Sequence, residues 1–154
     1  MQLNTKLFGK IEIEEEKMIF FEKGIIGFPH CQRFTLVYDE GEDGRQKNIS
    51  WLQSIEEPAF ALPVLDPLLV KEDYSPKVEE QLLKHLGTLE EDDTYVLVTV
   101  TATADVKKLS VNLKAPIVIN VKERKAVQVI VEDDFPVKFP IYEILQAKKE
   151  KAGE

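Results

Sequence analysis

The chain has 154 residues, 44% of them apolar and 31% charged, the size and balance of one soluble domain able to bury its own core. Its 20 Lys and Arg stand against 28 Asp and Glu, and the formal net charge of −8 lacks the basic footprint that nucleic acid or anionic lipid requires. A single cysteine excludes an internal disulfide and a multi-cysteine zinc site, and no apolar run nears the ~18 residues of a membrane span, so a cytoplasmic chain without membrane contact is expected.

The first residues, Met1-Gln2-Leu3-Asn4-Thr5-Lys6-Leu7-Phe8, hold no uninterrupted apolar stretch of the secretion-signal kind. Beyond them, short apolar runs alternate with Gly, Pro, Asp and Asn at the roughly 8–12-residue spacing of an all-β sandwich or barrel. Strands are predicted over 10–13, 18–21, 34–38, 49–53, 59–65, 95–101, 116–121 and 126–131. In Lys10-Ile11-Glu12-Ile13-Glu14 the alternation turns the isoleucines inward and the glutamates to water. Gly24 and Gly27 bracket Ile25-Ile26 ahead of Pro29, which predicts a tight turn. Trp51 reads as a core residue of the β domain. The run Tyr95-Val96-Leu97-Val98-Thr99-Val100 is apolar enough for a central strand covered on both sides.

Between the strands, one helix is predicted with Ser75 as N-cap, Pro76 at its first position and Gly87 as its stop. Val78, Leu82, Leu83 and Leu86 then form its apolar face, with Lys84 and His85 in the last turn. A second helical piece is predicted over 141–149 with Ile141, Ile144 and Leu145 as a docking stripe, and the charged tail after it should fray. The fold class is therefore all-β, barrel-like with antiparallel strands and one or two short helices. Residues 1–140 form a single β-barrel domain and 141–154 a helical or frayed tail.

Chemistry-bearing residues are sparse. The chain offers His30, Cys31 and His85 as soft or borderline ligands, and His30 and Cys31 would point apart on extended chain, so no metal or cofactor is expected. Cys31 with His85 as its base is the one arrangement a hydrolase could use, against the plainer reading of Cys31 as a small buried residue. No P-loop, G-x-S-x-G or G-x-G-x-x-G occurs, and the Gly24-Ile25-Ile26-Gly27 spacing lacks the basic surround of a KH-type phosphate clamp. Acidic residues gather at Glu14, Glu15 and Glu16, around residues 39–44, and at Glu90, Glu91, Asp92 and Asp93. They are either a solvated face or a docking surface for a basic partner. Without a visible enzyme constellation, a protein-binding module is the reading, with a small oligonucleotide-binding barrel as an alternative that the charge disfavours.

Four segments together carry a resemblance. They are Phe20-Phe21-Glu22-Lys23-Gly24-Ile25-Ile26-Gly27-Phe28-Pro29; Trp51-Leu52-Gln53-Ser54 followed by Phe60; Asp66-Pro67 followed by Asp73-Tyr74; and Val111-Asn112-Leu113-Lys114-Ala115-Pro116-Ile117-Val118-Ile119-Asn120. In order and spacing the chain resembles the flagellar assembly factor FliW family up to about Ile141. It departs at Phe135-Pro136-Val137-Lys138, where the family often has Tyr-Pro and a basic residue, so a hydroxyl is lost there.

The resemblance implies a small β-barrel without catalytic activity. Such a protein binds the RNA-binding translational repressor CsrA, relieving repression of flagellin synthesis, and competitively binds cytoplasmic flagellin. Partner-contact candidates are Asp66, Asp73, Tyr74, Asn112 and Lys114. The clusters Glu14, Glu15, Glu16 and Glu90, Glu91, Asp92, Asp93 are candidates for excluding RNA electrostatically from the bound repressor, within a Debye length of ~8–10 Å.

Overall fold

The computed structural model describes residues 1–40 and 46–152. Its strands, in chain order, are β1 (Gln2–Thr5), β2 (Gly9–Glu12), β3 (Ile19–Phe21), β4 (Arg33–Glu40), β5 (Gln46–Ser54), β6 (Ala61–Leu65), β7 (Thr94–Thr101), β8 (Ser110–Val111), β9 (Ile117–Asn120), β10 (Lys125–Gln128) and β11 (Phe139–Pro140). An α-helix, α1 (Tyr142–Ala152), follows them. Residues 41–44 of the predicted acidic loop lie outside the described residues.

The strands close in the order β7-β6-β5-β4-β3-β10-β9, with β9 pairing back onto β7, so a seven-stranded barrel results. All of these pairings are antiparallel except β3 with β10, which is parallel and brief: Phe20 faces Lys125 and Phe21 faces Ala126. The barrel interior is filled by Ile19, Phe21, Phe34, Leu52, Val64, Leu97, Ile117 and Ile119. A second apolar cluster lies outside the barrel wall, where Val98, Val100, Val111 and Leu113 meet Val70, Tyr74 and Ile141. Strand β7 separates the two clusters: Leu97 points into the barrel while Val98 joins the outer group. Its near-continuous apolarity therefore serves both faces, as its sequence predicts.

All eight predicted strands form. The sequence pattern missed β1, β8 and β11. The first is mostly polar, and the other two are two residues long, too short for alternation to register. Trp51 is corrected as well: its neighbour Leu52 fills the interior, so Trp51 points outward, half-buried beneath Phe8 of the β1–β2 hairpin with ring centroids 6.0 Å apart.

The predicted 76–86 helix is shorter and of another kind. Residues 75–79 are not helical, Ser75 caps nothing, and a 3₁₀ helix runs from Glu80 to Leu86. The Lys77 N–H is given to the Asp133 carboxylate at 3.2 Å, which holds this stretch against the 130s segment rather than in a helical turn. In a 3₁₀ helix residues i and i+3 eclipse, so Leu83 and Leu86 face inward while Leu82 and His85 share an outer face. The C-terminal helix does form; Ile141 is fully buried, and Ile144 and Leu145 pack on the outer cluster. It continues to Ala152, further than predicted.

The turn after β3 depends on Gly24. Its φ is +68°, and a Cβ there would sit 2.6 Å from the Pro29 carbonyl oxygen. Gly27 also has positive φ, but a Cβ there would meet open space. Gly24→Ala should therefore lower unfolding free energy by about 2 kcal/mol or more, and Gly27→Ala by only about 1 kcal/mol. Urea denaturation of the two variants checks this; equal losses would contradict the close-approach account.

Candidate partner-binding surface

The brevity of the β3–β10 pairing has a structural consequence. After Phe21 and Ala126 the two strands separate, and the Gln128 side chain spans the gap, accepting the Ile26 N–H at 3.0 Å and donating to the Ala115 carbonyl at 3.2 Å. The 3₁₀ helix lies beside β10, and between them a groove of about 600 Å³ opens. Phe20, Ile26, Leu82 and Ile130 line it and are 42%, 48%, 38% and 61% exposed, a contiguous apolar surface that a monomer has no packing reason to leave uncovered. A second groove of about 570 Å³ adjoins it, sharing Leu82 and Ile130.

The charges along this double groove are sorted. Lys23, Lys125 and His85 edge the first part, where Glu22 is paired with His85 at 3.0 Å. Glu79, Glu132 and Asp133 edge the second, beside Lys77. An apolar floor with a basic and an acidic end is complementary in shape and charge to an amphipathic segment lying in one orientation.

The two acidic clusters meet at one end of the barrel. Glu14 to Glu16 lead into β3, and Glu90 to Asp93 lead into β7. The β9–β10 turn joins them: the Arg124 guanidinium donates to the Lys17 carbonyl, and the Val121 N–H donates to the Asp93 carbonyl at 2.8 Å. Glu14, Glu15, Glu16, Glu90 and Asp92 are exposed. The Asp66 carboxylate belongs to the same end; after burial, its charge is the next cause that pushes the Tyr95 phenol above its ordinary value. The groove borders this end, because Leu86 at the close of the 3₁₀ helix accepts from the buried Asn120 side chain at 2.6 Å.

Of the five partner-contact candidates, Tyr74, Asn112 and Lys114 come together around Leu113, Asp73 precedes Tyr74 in the chain, and Asp66 lies apart beside Tyr95. Asp66 caps the short 3₁₀ turn after β6, accepting the Leu68 N–H at 3.0 Å. Asp73 is fully exposed, and Lys71, 3.1 Å away, holds its carboxyl below the usual range. Tyr74, a side chain a partner would need to reach, is instead buried. Its hydroxyl donates to the Leu113 carbonyl at 2.7 Å and its ring meets Phe135 edge-on at 4.9 Å. Asn112 accepts the N–H groups of Lys114 and Ala115 at 3.0 and 3.2 Å, setting the loop before β9. Lys114 in turn donates to the Asp133 carbonyl at 2.6 Å. The groove residues had no sequence signal beyond apolarity, since Phe20, Leu82 and Ile130 are far apart in the chain.

The Cys31–His85 arrangement is not formed. The Cys31 sulfur is buried and meets Glu57 at 3.6 Å, whereas His85 is paired with Glu22. Burial pushes the Cys31 thiol above its ordinary value, the wrong direction for a nucleophile. The expectation that His30 and Cys31 diverge is also overturned. The chain turns at residues 29–30 instead of extending, and both side chains approach Glu57.

Comparison with known proteins agrees with this architecture. The family profile described as "FliW protein" matches residues 2–141. The flagellar assembly factor FliW of Lachnoclostridium phytofermentans is 47% identical over 153 residues, covering 97% of each chain. That of Lachnospira eligens is 45% identical, covering 98% of this chain and 99% of the relative. A crystal structure of the flagellar assembly factor FliW superposes with a TM-score of 0.82 at 30% identity, covering 92% of this chain and 96% of that one.

Burial, and then the Asp133 charge, push the Tyr74 phenol up to about 12. The unfolded chain ionises this group at ~10, so the stability it contributes is complete below pH 10 and lost as the pH rises through about 12. Tyr74→Phe should cost about 1–2 kcal/mol at neutral pH by leaving the Leu113 carbonyl unpaired, and should flatten that alkaline decline. Denaturant titrations of both proteins at pH 8 to 11 check it; parallel declines would refute the assignment.

Proposed function

This chain belongs to the FliW family of flagellar assembly factors, and we propose that it serves flagellum biogenesis as a non-catalytic binding protein of the cytoplasm with two competing protein partners. One is the translational repressor CsrA, whose repression of flagellin synthesis it relieves. The other is flagellin itself. The observation that carries the reading is the family match over residues 2–141, which spans every element that builds the barrel, the groove and the acidic end. Accumulating flagellin draws the protein away from the repressor, and secretion of flagellin returns it, so translation follows export. No helix of the described residues is long and apolar enough to cross a membrane, which fits this role.

The surface supports a division of labour between two neighbouring regions. The acidic end places negative charge against a repressor that must itself be basic to hold RNA phosphates. Across a Debye length of ~8–10 Å that charge penalises RNA without covering its site. The apolar groove takes the apolar face of an amphipathic flagellin segment. The groove borders the acidic end, so an occupant of one would crowd an occupant of the other, which supports a competition between the two partners.

Two experiments separate these parts. Ile130→Asp and Leu82→Asp alter side chains that are already exposed, so folding should be retained. Each should weaken flagellin binding about tenfold or more by calorimetry, since burying one such side chain contributes ~1.5–3 kcal/mol. Unchanged affinity would remove the groove from the flagellin interface. Converting Glu14, Glu15, Glu16, Glu90, Glu91, Asp92 and Asp93 to their amides should weaken displacement of RNA from CsrA more than it weakens CsrA binding, and most clearly at low salt. Equal losses would leave the electrostatic mechanism without support.

A further inference from the structure

We propose that His30, Cys31 and Glu57 form a binding site for one zinc-type divalent cation, at the barrel end where β3 connects to β4 and β5 connects to β6. The His30 Nε2 lies 3.0 Å from the Glu57 Oε2, and the Cys31 Sγ lies 3.6 Å from the same oxygen. All three ligand atoms fall within 4.8 Å of one another. Zinc–nitrogen and zinc–oxygen bonds of ~2.0 Å and zinc–sulfur bonds of ~2.3 Å, at the tetrahedral angle, place neighbouring ligand atoms about 3.3–3.5 Å apart. The two spacings to the Glu57 oxygen lie around that value and the third is at most 4.8 Å, so side-chain rotations bring the three atoms onto one ion. Imidazole, thiolate and carboxylate together suit zinc and its borderline neighbours rather than calcium or magnesium, which take oxygen ligands.

Backbone geometry produces the convergence. Ile25 and Phe28 bond reciprocally across the glycine turn, and the Cys31 N–H donates to the Phe28 carbonyl at 3.1 Å. The chain is therefore curled at Pro29 and His30, and two consecutive side chains that would diverge on a strand face the same acid. That acid is held in place too. The Glu57 N–H donates to the Ser54 hydroxyl at 3.0 Å, and its carbonyl accepts the Phe60 N–H at 2.8 Å. The adjacent Glu56 is committed elsewhere, to the Arg33 guanidinium at 2.9 Å.

Cys31 is fully buried while the His30 and Glu57 side chains are 63% and 48% exposed. The sulfur thus forms the floor of the site and the other two its mouth, which gives an ion access and leaves a fourth position for water. Binding through the imidazole nitrogen, the carboxylate and the thiolate expels the thiol proton to solvent, with no change in oxidation state. The bound ion would tie the β3–β4 connection to the β5–β6 connection, two segments that the His30–Glu57, Cys31–Glu57 and Arg33–Glu56 contacts already link.

Cobalt(II) is the probe, titrated into the full-length protein in place of zinc. A sulfur-to-cobalt charge-transfer band in the near-ultraviolet should saturate at one ion per chain and disappear on adding zinc. Cys31→Ser should lose the band. His30→Ala removes only an exposed side chain, so its far-ultraviolet circular dichroism should match the parent while cobalt affinity falls more than about tenfold. Absence of the band in the parent protein, or unchanged affinity in the folded His30→Ala variant, would overturn the proposal.

Discussion

The two-residue parallel contact between β3 and β10 is the joint on which the surface features of this barrel depend. Antiparallel neighbours return by hairpins and can pair along their whole length, but β3 and β10 are far apart in the chain and run the same way. Gly24, with φ of +68° and its backbone against Pro29, ends the contact by carrying the chain off the barrel wall. A longer pairing would have covered β10 with β3. Instead Ile26 and Ile130 are left exposed on the two sides of a gap bridged by Gln128, and the 3₁₀ helix forms its third wall. The same turn curls the chain so that His30 and Cys31 share Glu57.

Charge is organised by the opposite end of the barrel. The β9–β10 turn contacts both the segment before β3 and the segment before β7, so acidic residues separated by more than seventy positions (Glu16 and Glu90, for instance) surround one turn. Like charges brought together in this way cost stability. Their exposure keeps the cost low and leaves their field available to a basic partner. Part of the acidity that composition presents as a bulk property is thus gathered around one turn.

The residues that carry the family resemblance do mostly structural work. Asn112 and Lys114 close the loop before β9, Asn120 ties that strand to the 3₁₀ helix, and Tyr74 locks Leu113 from the outer cluster. Each satisfies buried or half-buried backbone groups that no regular ladder reaches. They are recognisable because few residue types can do this. For the same reason they are poor guides to where partners touch. Phe135, in place of the tyrosine often found there, keeps its ring contact with Tyr74 without a hydroxyl.

Local pattern determined much of this protein. Alternation and apolar runs placed eight of the eleven strands among the described residues, glycine spacing placed the turn after β3, and the stripe Ile141, Ile144, Leu145 placed the C-terminal helix, because these signals act between residues close in sequence. The fate of 75–86 was not local: good helix punctuation there yields to the Lys77–Asp133 bond and becomes a shorter 3₁₀ segment. Trp51 faces outward because register in the sheet assigned the interior to Leu52. The groove, the joined acidic clusters and the meeting of Cys31 with Glu57 rather than His85 depend on contacts between distant segments, and only barrel closure sets those distances.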